Sequence, residues 1–354
     1  MLTFACLTTD EKYMSRCLQL ALLGQGKVSP NPMVGAILVY QDRIIGEGYH
    51  EQYGFAHAEV NCIQAVKEAD RKHIPMSTLY VSLEPCCHFG KTPPCSDLII
   101  SSGIKKVVVA SEDPFEKVSG GGLEKLKSSG VNVVTGILKT EAQQLNHVFF
   151  HYHQNRRPYI ILKWAQSANG MIAASDYSRV FISGELSNKL VHRWRSETDA
   201  IMVGTNTAIQ DNPSLTTRLW PGKNSLRVLL DLNLKLKRES NLLDDSTETL
   251  VFNYTKNSKS GRTEFVRIDP DKNFVQQICN HLFERNITSI MIEGGTKLLQ
   301  TFIDENIWDE MRIIKNTKLN IENGYPAPLN IPQMISKQFD LGQDIISIYH
   351  WNKI

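Results

Sequence analysis

The sequence predicts an α/β protein folded as two domains, residues 1–150 and 157–354. Three observations lead there. The 354 residues exceed the roughly 100–200 that one domain commonly holds. Short apolar, β-rich runs alternate with stretches of helical period along most of the chain. The alternation breaks at the polar, aromatic and basic stretch His147–Pro158 (HVFFHYHQNRRP), which ends in proline and is read as the boundary.

The first helix is expected after Thr9-Asp10, with apolar residues at Tyr13, Met14, Cys17, Leu18, Ala21 and Leu22 and an end at Gly24 and Gly26. Met33–Tyr40 and Arg43–Gly46 flank Gln41-Asp42 and predict a β-hairpin. A second helix opens near His57, with Val60, Ile63 and Val66 on one face, and strands are expected at Thr78–Leu83, Lys105–Ala110 and Val131–Val134. Beyond the boundary the expected strands are Tyr159–Trp164, Ala200–Val203, Leu226–Asp231, Thr249–Phe252, Ser289–Ile292 and Met311–Ile314. Helices are expected at Glu185–Ser196, Asp271–Arg285 and Thr296–Glu305, and Thr255–Gly261 reads as a solvated loop.

Charge is nearly balanced, 39 Lys+Arg against 37 Asp+Glu, so the broad basic field that captures nucleic acid is missing. No apolar run approaches the roughly 20 residues of a bilayer span, and the N-terminus lacks the pattern of a secretory signal. The expectation is a cytoplasmic protein with neither nucleic acid nor membrane as partner; a homo-oligomer is left open. Seven cysteines are present, and Cys86, Cys87 and Cys95 crowd together in a way that suits metal binding better than a disulfide framework. Cys6, Cys17, Cys62 and Cys279 stand singly among apolar residues and read as ordinary thiols.

His57-Ala58-Glu59 lies at an expected helix start, and Pro85-Cys86 follows a strand, with Cys95 nine positions further on. Zinc accepts imidazole and thiolate, and three protein ligands leave a fourth position for water, the pattern of a catalytic site. Zinc makes hydroxide available near neutral pH, and Glu59 is placed to carry the proton, as the glutamate two residues after the ligand histidine does in zinc deaminases. The usual second half of that pattern is Pro-Cys-x-x-Cys, whereas eight residues separate Cys86 from Cys95 here, so Cys87 is a rival thiolate.

Together with Ser29–Gly35 (SPNPMVG), Gly48-Tyr49-His50 and Leu83-Glu84-Pro85-Cys86, this long loop resembles the deaminase half of the bifunctional riboflavin-biosynthesis deaminase/reductases. In that family's motif Cys87 occupies a serine position, which places Cys86 and Cys95 as the ligands beside His57. The resemblance also implies that Asn31 and His50 contact the substrate base and that His88 and Lys91 line the same pocket. It implies a cytidine-deaminase-like three-layer α/β/α fold for the first domain.

The second domain lacks Gly-x-Gly-x-x-Gly after a strand, so the ordinary dinucleotide fingerprint is absent. Ile292-Glu293-Gly294-Gly295-Thr296 joins a strand to a helix, a turn at which backbone N–H groups can approach a pyrophosphate. The segments Lys163–Gly170, Ala200–Arg218 and Glu293–Thr296 resemble the reductase half of the same family, with a dihydrofolate-reductase-like fold. The resemblance carries Ala165, Phe181, Ser183, Thr207, Asp211, Gly295 and Thr296 to NADPH, and Arg179, Arg195, Leu215, Arg218 and Glu293 to substrate. A guanidinium fork suits a phosphate, which gives Arg195 and Arg218 a physical role. The chain departs from the family at Asn169 (usually Asp), Phe181 (frequently Trp) and Arg179 (often a substrate-contacting Ser).

The implied activity is zinc-dependent hydrolysis of the 2-amino group of 2,5-diamino-6-ribosylamino-4(3H)-pyrimidinone 5′-phosphate, then NADPH-dependent hydride delivery to C1′ of the ribosylamino product. The proton donor of the second step has no candidate in the sequence. His147, His151 and His153 lie without a nearby thiolate or carboxylate and are not read as a second metal site. A nucleic-acid base deaminase would need a basic, aromatic-interleaved surface. A zinc-stabilised regulatory protein would need four protein ligands and no proton shuttle, and Glu59 argues against it.

Overall fold

Helix α1 (Thr9–Leu22) opens on a reciprocal capping box in which the Thr8 hydroxyl accepts from the Glu11 amide while the Glu11 carboxylate accepts from the Thr8 amide. The cap is therefore Thr8, and Thr9-Asp10 already belong to the first turn. This computed structural model describes residues 7–89, 93–115, 120–176 and 178–351. The chain divides into two compact units, residues 1–156 and 157–354.

In the first unit α1 is followed by β1 (Gly35–Tyr40), β2 (Arg43–Tyr49), α2 (Ala58–Gln64), β3 (Thr78–Leu83), α3 (Cys95–Ser101), β4 (Lys106–Ser111), α4 (Gly121–Ser128), β5 (Asn132–Thr135), α5 (Lys139–Leu145) and α6 (His147–Asn155). The β1–β2 turn at Gln41-Asp42 takes positive φ at both residues (47° and 58°), the twist that suits a two-residue hairpin. The strands order as β2-β1-β3-β4-β5, antiparallel across β2-β1-β3 and parallel across β3-β4-β5. Successive side chains point to opposite faces. Ala36, Leu38, Leu79, Val81, Val107 and Val109 accordingly pack with α2, α3 and α4, while Ile37, Val39, Tyr80, Val108 and Ala110 pack with α1 and α5. Helices thus cover both faces of the sheet, a three-layer α/β/α arrangement.

The stretch expected to break the fold is helical. In α6, Phe149, Phe150 and Tyr152 are buried, and the division falls after Arg156. Polar residues on the outer face of a short helix masked its period.

The second unit runs β6 (Tyr159–Gln166), β7 (Met171–Ala174), α7 (Glu185–Glu197), β8 (Ala200–Gly204), α8 (Thr205–Asp211), β9 (Leu226–Leu230), β10 (Thr249–Asn253), β11 (Ser258–Ser260), β12 (Thr263–Arg267), α9 (Phe274–Glu284), β13 (Ser289–Ile292), α10 (Thr296–Asp304), β14 (Glu310–Asn316), β15 (Gly324–Pro326), β16 (Lys337–Leu341) and β17 (Asp344–His350). Ten of these strands form one sheet, β11-β12-β10-β9-β8-β13-β6-β14-β17-β16, parallel from β12 to β14. Antiparallel strands close both edges. The segment read as a solvated loop holds the exposed edge strand β11.

Strand β13 inserts between β8 and β6, so the chain reverses its direction of travel across the sheet there. Loops leaving such a point at the carboxyl ends of parallel strands diverge and leave a crevice. The Glu293–Gly295 turn lies at the end of β13, and Gly204, which leads into α8, at the end of β8.

Candidate active sites

In the first unit His57 is the N-cap of α2, Cys86 sits just past β3, and Cys95 is the first residue of α3. Their ligand atoms lie within 4.8 Å of one another, with His57 Nδ1 3.6 Å from Cys86 Sγ and 3.3 Å from Cys95 Sγ. A tetrahedral zinc with bonds of about 2.3 Å to sulfur and about 2.0–2.1 Å to nitrogen spans S···N edges of roughly 3.5 Å. The donor set and its spacing therefore fit zinc. Hydrogen bonding from Cys95 and His57 lowers the pKa of the Cys86 thiol and favours its thiolate, and the Cys95 amide donates to its Sγ at 3.3 Å. Cys87 is not one of the three converging ligands, and its Sγ lies beside Gly121.

Glu59 is 3% exposed in the first turn of α2 and is within hydrogen-bond reach of Cys95. Burial, and then the Cys86 thiolate, push its carboxyl up to about 7. The helix that carries it lies tight against the sheet. A Cβ at Gly48 would come within 2.2 Å of the Cys62 amide nitrogen, and Asn61 donates to the Tyr49 carbonyl at 2.8 Å.

Asn31 and His50 come together beside the cluster. Asn31 Nδ2 lies 3.1 Å from His50 Nε2, His50 Nδ1 lies 3.0 Å from the Ala56 carbonyl, and the His50 and His57 rings meet edge to face at 5.4 Å. The contacts assign the His50 proton to Nδ1 and leave Nε2 to accept from Asn31. His88 is exposed, with its ring edge-on to Phe115 at 6.4 Å. Lys91 lies outside the described residues.

Two supports were not legible in the sequence. The Asn146 side chain binds both the amide and the carbonyl of Met33 at 2.8 Å, fixing the segment that carries Asn31. The buried Glu84 carboxylate accepts from the amides of Asp113, Gly120, Gly122 and Leu123 at 3.2, 3.0, 2.9 and 3.4 Å. It ties the turn bearing Cys86 to the start of α4. A charge met by several amide dipoles is well compensated in a buried site.

In the second unit a cavity of about 1130 Å³ opens at the carboxyl ends of the parallel strands, and all twelve residues expected at cofactor or substrate line it. Ala165 comes from β6; Arg179, Phe181 and Ser183 from the stretch before α7; Arg195 from α7; and Thr207 and Asp211 from α8. Leu215 and Arg218 follow α8, and Glu293, Gly295 and Thr296 connect β13 to α10. Phe181 is 75% exposed, with the Arg179 guanidinium 5.0 Å above its ring. The Gly295 amide is already given to Thr207 Oγ1 at 2.9 Å, so the N–H groups left for a pyrophosphate belong to the first turn of α10. Asn169 donates to the Ile321 carbonyl at 2.9 Å and accepts from Ser167 at 2.6 Å, a pairing that needs an amide rather than a carboxylate.

Arg195 is not a free phosphate fork. It grips Glu293 through Nε at 2.8 Å and Nη2 at 2.9 Å, and Nη1 reaches the Thr216 carbonyl at 3.4 Å. Arg218 is exposed and makes no ion pair among the described residues. Lys163, which no sequence motif singles out, also lines the cavity, 3.5 Å from Glu293. Burial lowers its ammonium against the pull of that carboxylate. Burial works to raise Glu293, yet Arg195 and Lys163 hold it down at about 2.

Residues 7–111 match the family model of the cytidine and deoxycytidylate deaminase zinc-binding region, and residues 158–319 match that of the RibD C-terminal domain. A zinc-dependent deaminase joined to a reductase is the class that fold and matches define. Riboflavin biosynthesis protein RibD of Aquifex aeolicus is 40% identical over 352 residues, covering 96% of this chain and 98% of its own. That of Actinobacillus pleuropneumoniae is 38% identical, covering 84% and 81%. Among solved structures, a diaminohydroxyphosphoribosylaminopyrimidine deaminase/5-amino-6-(5-phosphoribosylamino)uracil reductase of Thermotoga maritima superposes with a TM-score of 0.86 at 34% identity, covering 97% of this chain and 98% of its own. The chain belongs to the RibD family of bifunctional riboflavin-biosynthesis enzymes. It joins a hydrolytic deaminase with a zinc-binding region to an NADPH-dependent reductase acting on a small pyrimidine. No helix among the described residues is long and apolar enough to cross a membrane.

Proposed function

We propose that residues 1–156 hydrolyse the 2-amino group of the phosphorylated diaminopyrimidine and that residues 157–354 reduce the ribosyl carbon of the product. The observation that carries this is the convergence of His57, Cys86 and Cys95 within 4.8 Å, with Glu59 buried beside them. His57 Nδ1 and the Cys86 and Cys95 thiolates would hold zinc, which would supply the Lewis acidity that makes hydroxide available near neutral pH. Glu59 takes up the proton on a carboxylate oxygen and returns it to the departing amine, without itself binding metal. Asn31 and His50, locked to each other at 3.1 Å, orient the base.

In the second unit the first turn of α10 and the α8 residues Thr207 and Asp211 would hold the cofactor, and Arg218 would meet the substrate phosphate. NADPH, when bound, supplies the hydride for C1′. As the C1′–O4′ bond breaks, O4′ takes up a proton. In this reading Lys163, which lines the cavity, is acidified by burial and lies 3.5 Å from Glu293, donates it. Cytoplasmic action on a free metabolite, with neither nucleic acid nor membrane as partner, belongs to the same reading.

The test supplies the phosphoribosylaminopyrimidine and follows ammonia release and NADPH oxidation together. Ammonia should appear without NADPH, and NADPH oxidation should require the deaminated product. Ammonia release that survives complete zinc stripping, or oxidation of NADPH with the undeaminated substrate when Glu59 is replaced by Gln, would overturn the division of labour.

A further inference from the structure

Residues 212–225, between α8 and β9, contain no helix or strand, yet they carry Leu215 and Arg218 to the cavity. A loop of that length needs outside anchors to present a side chain reproducibly. Helix α7 supplies them. His192 Nδ1 accepts the Arg218 amide at 3.1 Å, Arg195 Nη1 donates to the Thr216 carbonyl at 3.4 Å, and Ser225 Oγ donates to the Arg195 carbonyl at 2.5 Å.

His192 is 4% exposed, yet it lies on the same helix as the cavity residue Arg195. Its Nδ1 accepts a hydrogen bond, so that nitrogen carries no proton and the ring is the neutral Nε2–H tautomer. Its surroundings agree. Burial, then the Arg195 and Arg218 cations, with Lys163 adding to them and Glu293 opposing, keep the imidazole down at about 4. The ring is a constant acceptor across the physiological range.

We propose that His192 is a positioning residue for the substrate's anionic group: by fixing the Arg218 amide it sets the point on the cavity wall from which the Arg218 guanidinium meets the phosphate. This rests on the reading of Arg218 given above. Of the two arginines, Arg195 is committed to Glu293, while Arg218 is free among the described residues to take an anion. A histidine serving only to fill the core would be indifferent to which ring nitrogen accepts and to whether the substrate carries a phosphate.

Steady-state reduction of the deaminated substrate by the full chain tests it. H192F keeps ring volume but removes the acceptor, and should raise KM for the phosphorylated substrate about tenfold with kcat within about twofold. KM for the dephosphorylated analogue and the affinity for NADPH should stay unchanged. H192N places an amide oxygen near the lost Nδ1 and should restore KM, whereas H192Q, whose oxygen reaches toward the Nε2 position, should not; this pair carries the test even if H192F folds poorly. R218A should raise KM at least as much as H192F, and H192F/R218A should be no worse than R218A alone.

If R218A leaves KM unaltered, the reading of Arg218 falls and the positioning role with it. If R218A is impaired while H192F binds substrate normally, or if H192F lowers kcat at constant KM, or if the two changes add, the positioning role alone is overturned.

Discussion

Glu293 and Arg195 meet fork to fork, with both carboxylate oxygens bonded to the guanidinium at 2.8 and 2.9 Å although the residues stand 98 positions apart. Removing one partner of such a buried pair costs up to about 3–5 kcal/mol, and Lys163, 3.5 Å from Glu293, offsets part of that when Arg195 is the one removed. Arg195→Ala should therefore destabilise the second unit as well as impair reduction, and Arg195→Lys should rescue little because a point charge cannot replace the fork. Deamination should be unchanged. Thermal unfolding and both activities measured on each variant check this, and a normally stable, normally reducing Arg195→Ala protein would contradict it.

The same pair has a pH signature. The Glu293 carboxyl sits at about 2 in the fold against an ordinary 4.5, a gap worth on the order of 3 kcal/mol. Its folded value is depressed, so the contribution is complete above about pH 5 and fades as pH falls from there toward 2. Wild type should exceed Glu293→Gln in stability at pH 7, and the difference should shrink in denaturant titrations at pH 5, 4 and 3. A difference that holds constant over that span would rule out the assigned ionisation.

Metal content should separate the adjacent cysteines. Cys95→Ser removes one of the three converging ligand atoms, whereas Cys87 faces Gly121. Zinc analysis after dialysis should find Cys95→Ser largely depleted and Cys87→Ser replete. Equal depletion would count against the ligand set.

Glu59→Gln keeps nearly the same shape but cannot carry the proton. Zinc content and unfolding temperature should stay close to wild type while ammonia release falls by several orders of magnitude, and reduction of supplied deaminated product continues. Ammonia release at an undiminished rate from the zinc-replete variant would remove Glu59 from the mechanism.

Gly122 tests the link between α4 and the metal turn. A Cβ there would fall 2.0 Å from the Pro85 carbonyl oxygen and 3.2 Å from Glu84 Oε1, contacts that backbone must move to relieve. Gly122→Ala should cost about 1–3 kcal/mol and shift Pro85-Cys86, so that zinc is stripped at a lower chelator concentration than from wild type. Unaltered chelator resistance would mean that α4 does not hold the turn.

Local chemistry was legible along the chain: short continuous apolar runs marked β1, β3 and β4, and a histidine, a glutamate and two cysteines in a deaminase-like pattern marked the metal site. Those features are written in neighbouring residues, because an apolar run, a helical period and a ligand type each act over a few positions. Less regular stretches were not legible: α6 hides its apolar face among histidines, and the β16–β17 edge alternates weakly through Lys337, Gln338 and Asp340. What only the tertiary structure decided is which distant side chains meet. It committed Arg195 to Glu293 and left Arg218 open, set His192 beneath the Arg218 amide, and brought Glu84 to Gly122 and Asn146 to Met33 across 38 and 113 positions. Such pairings depend on how layers pack and where strand ends converge, and a hydrogen bond leaves no periodic trace in the sequence between its partners.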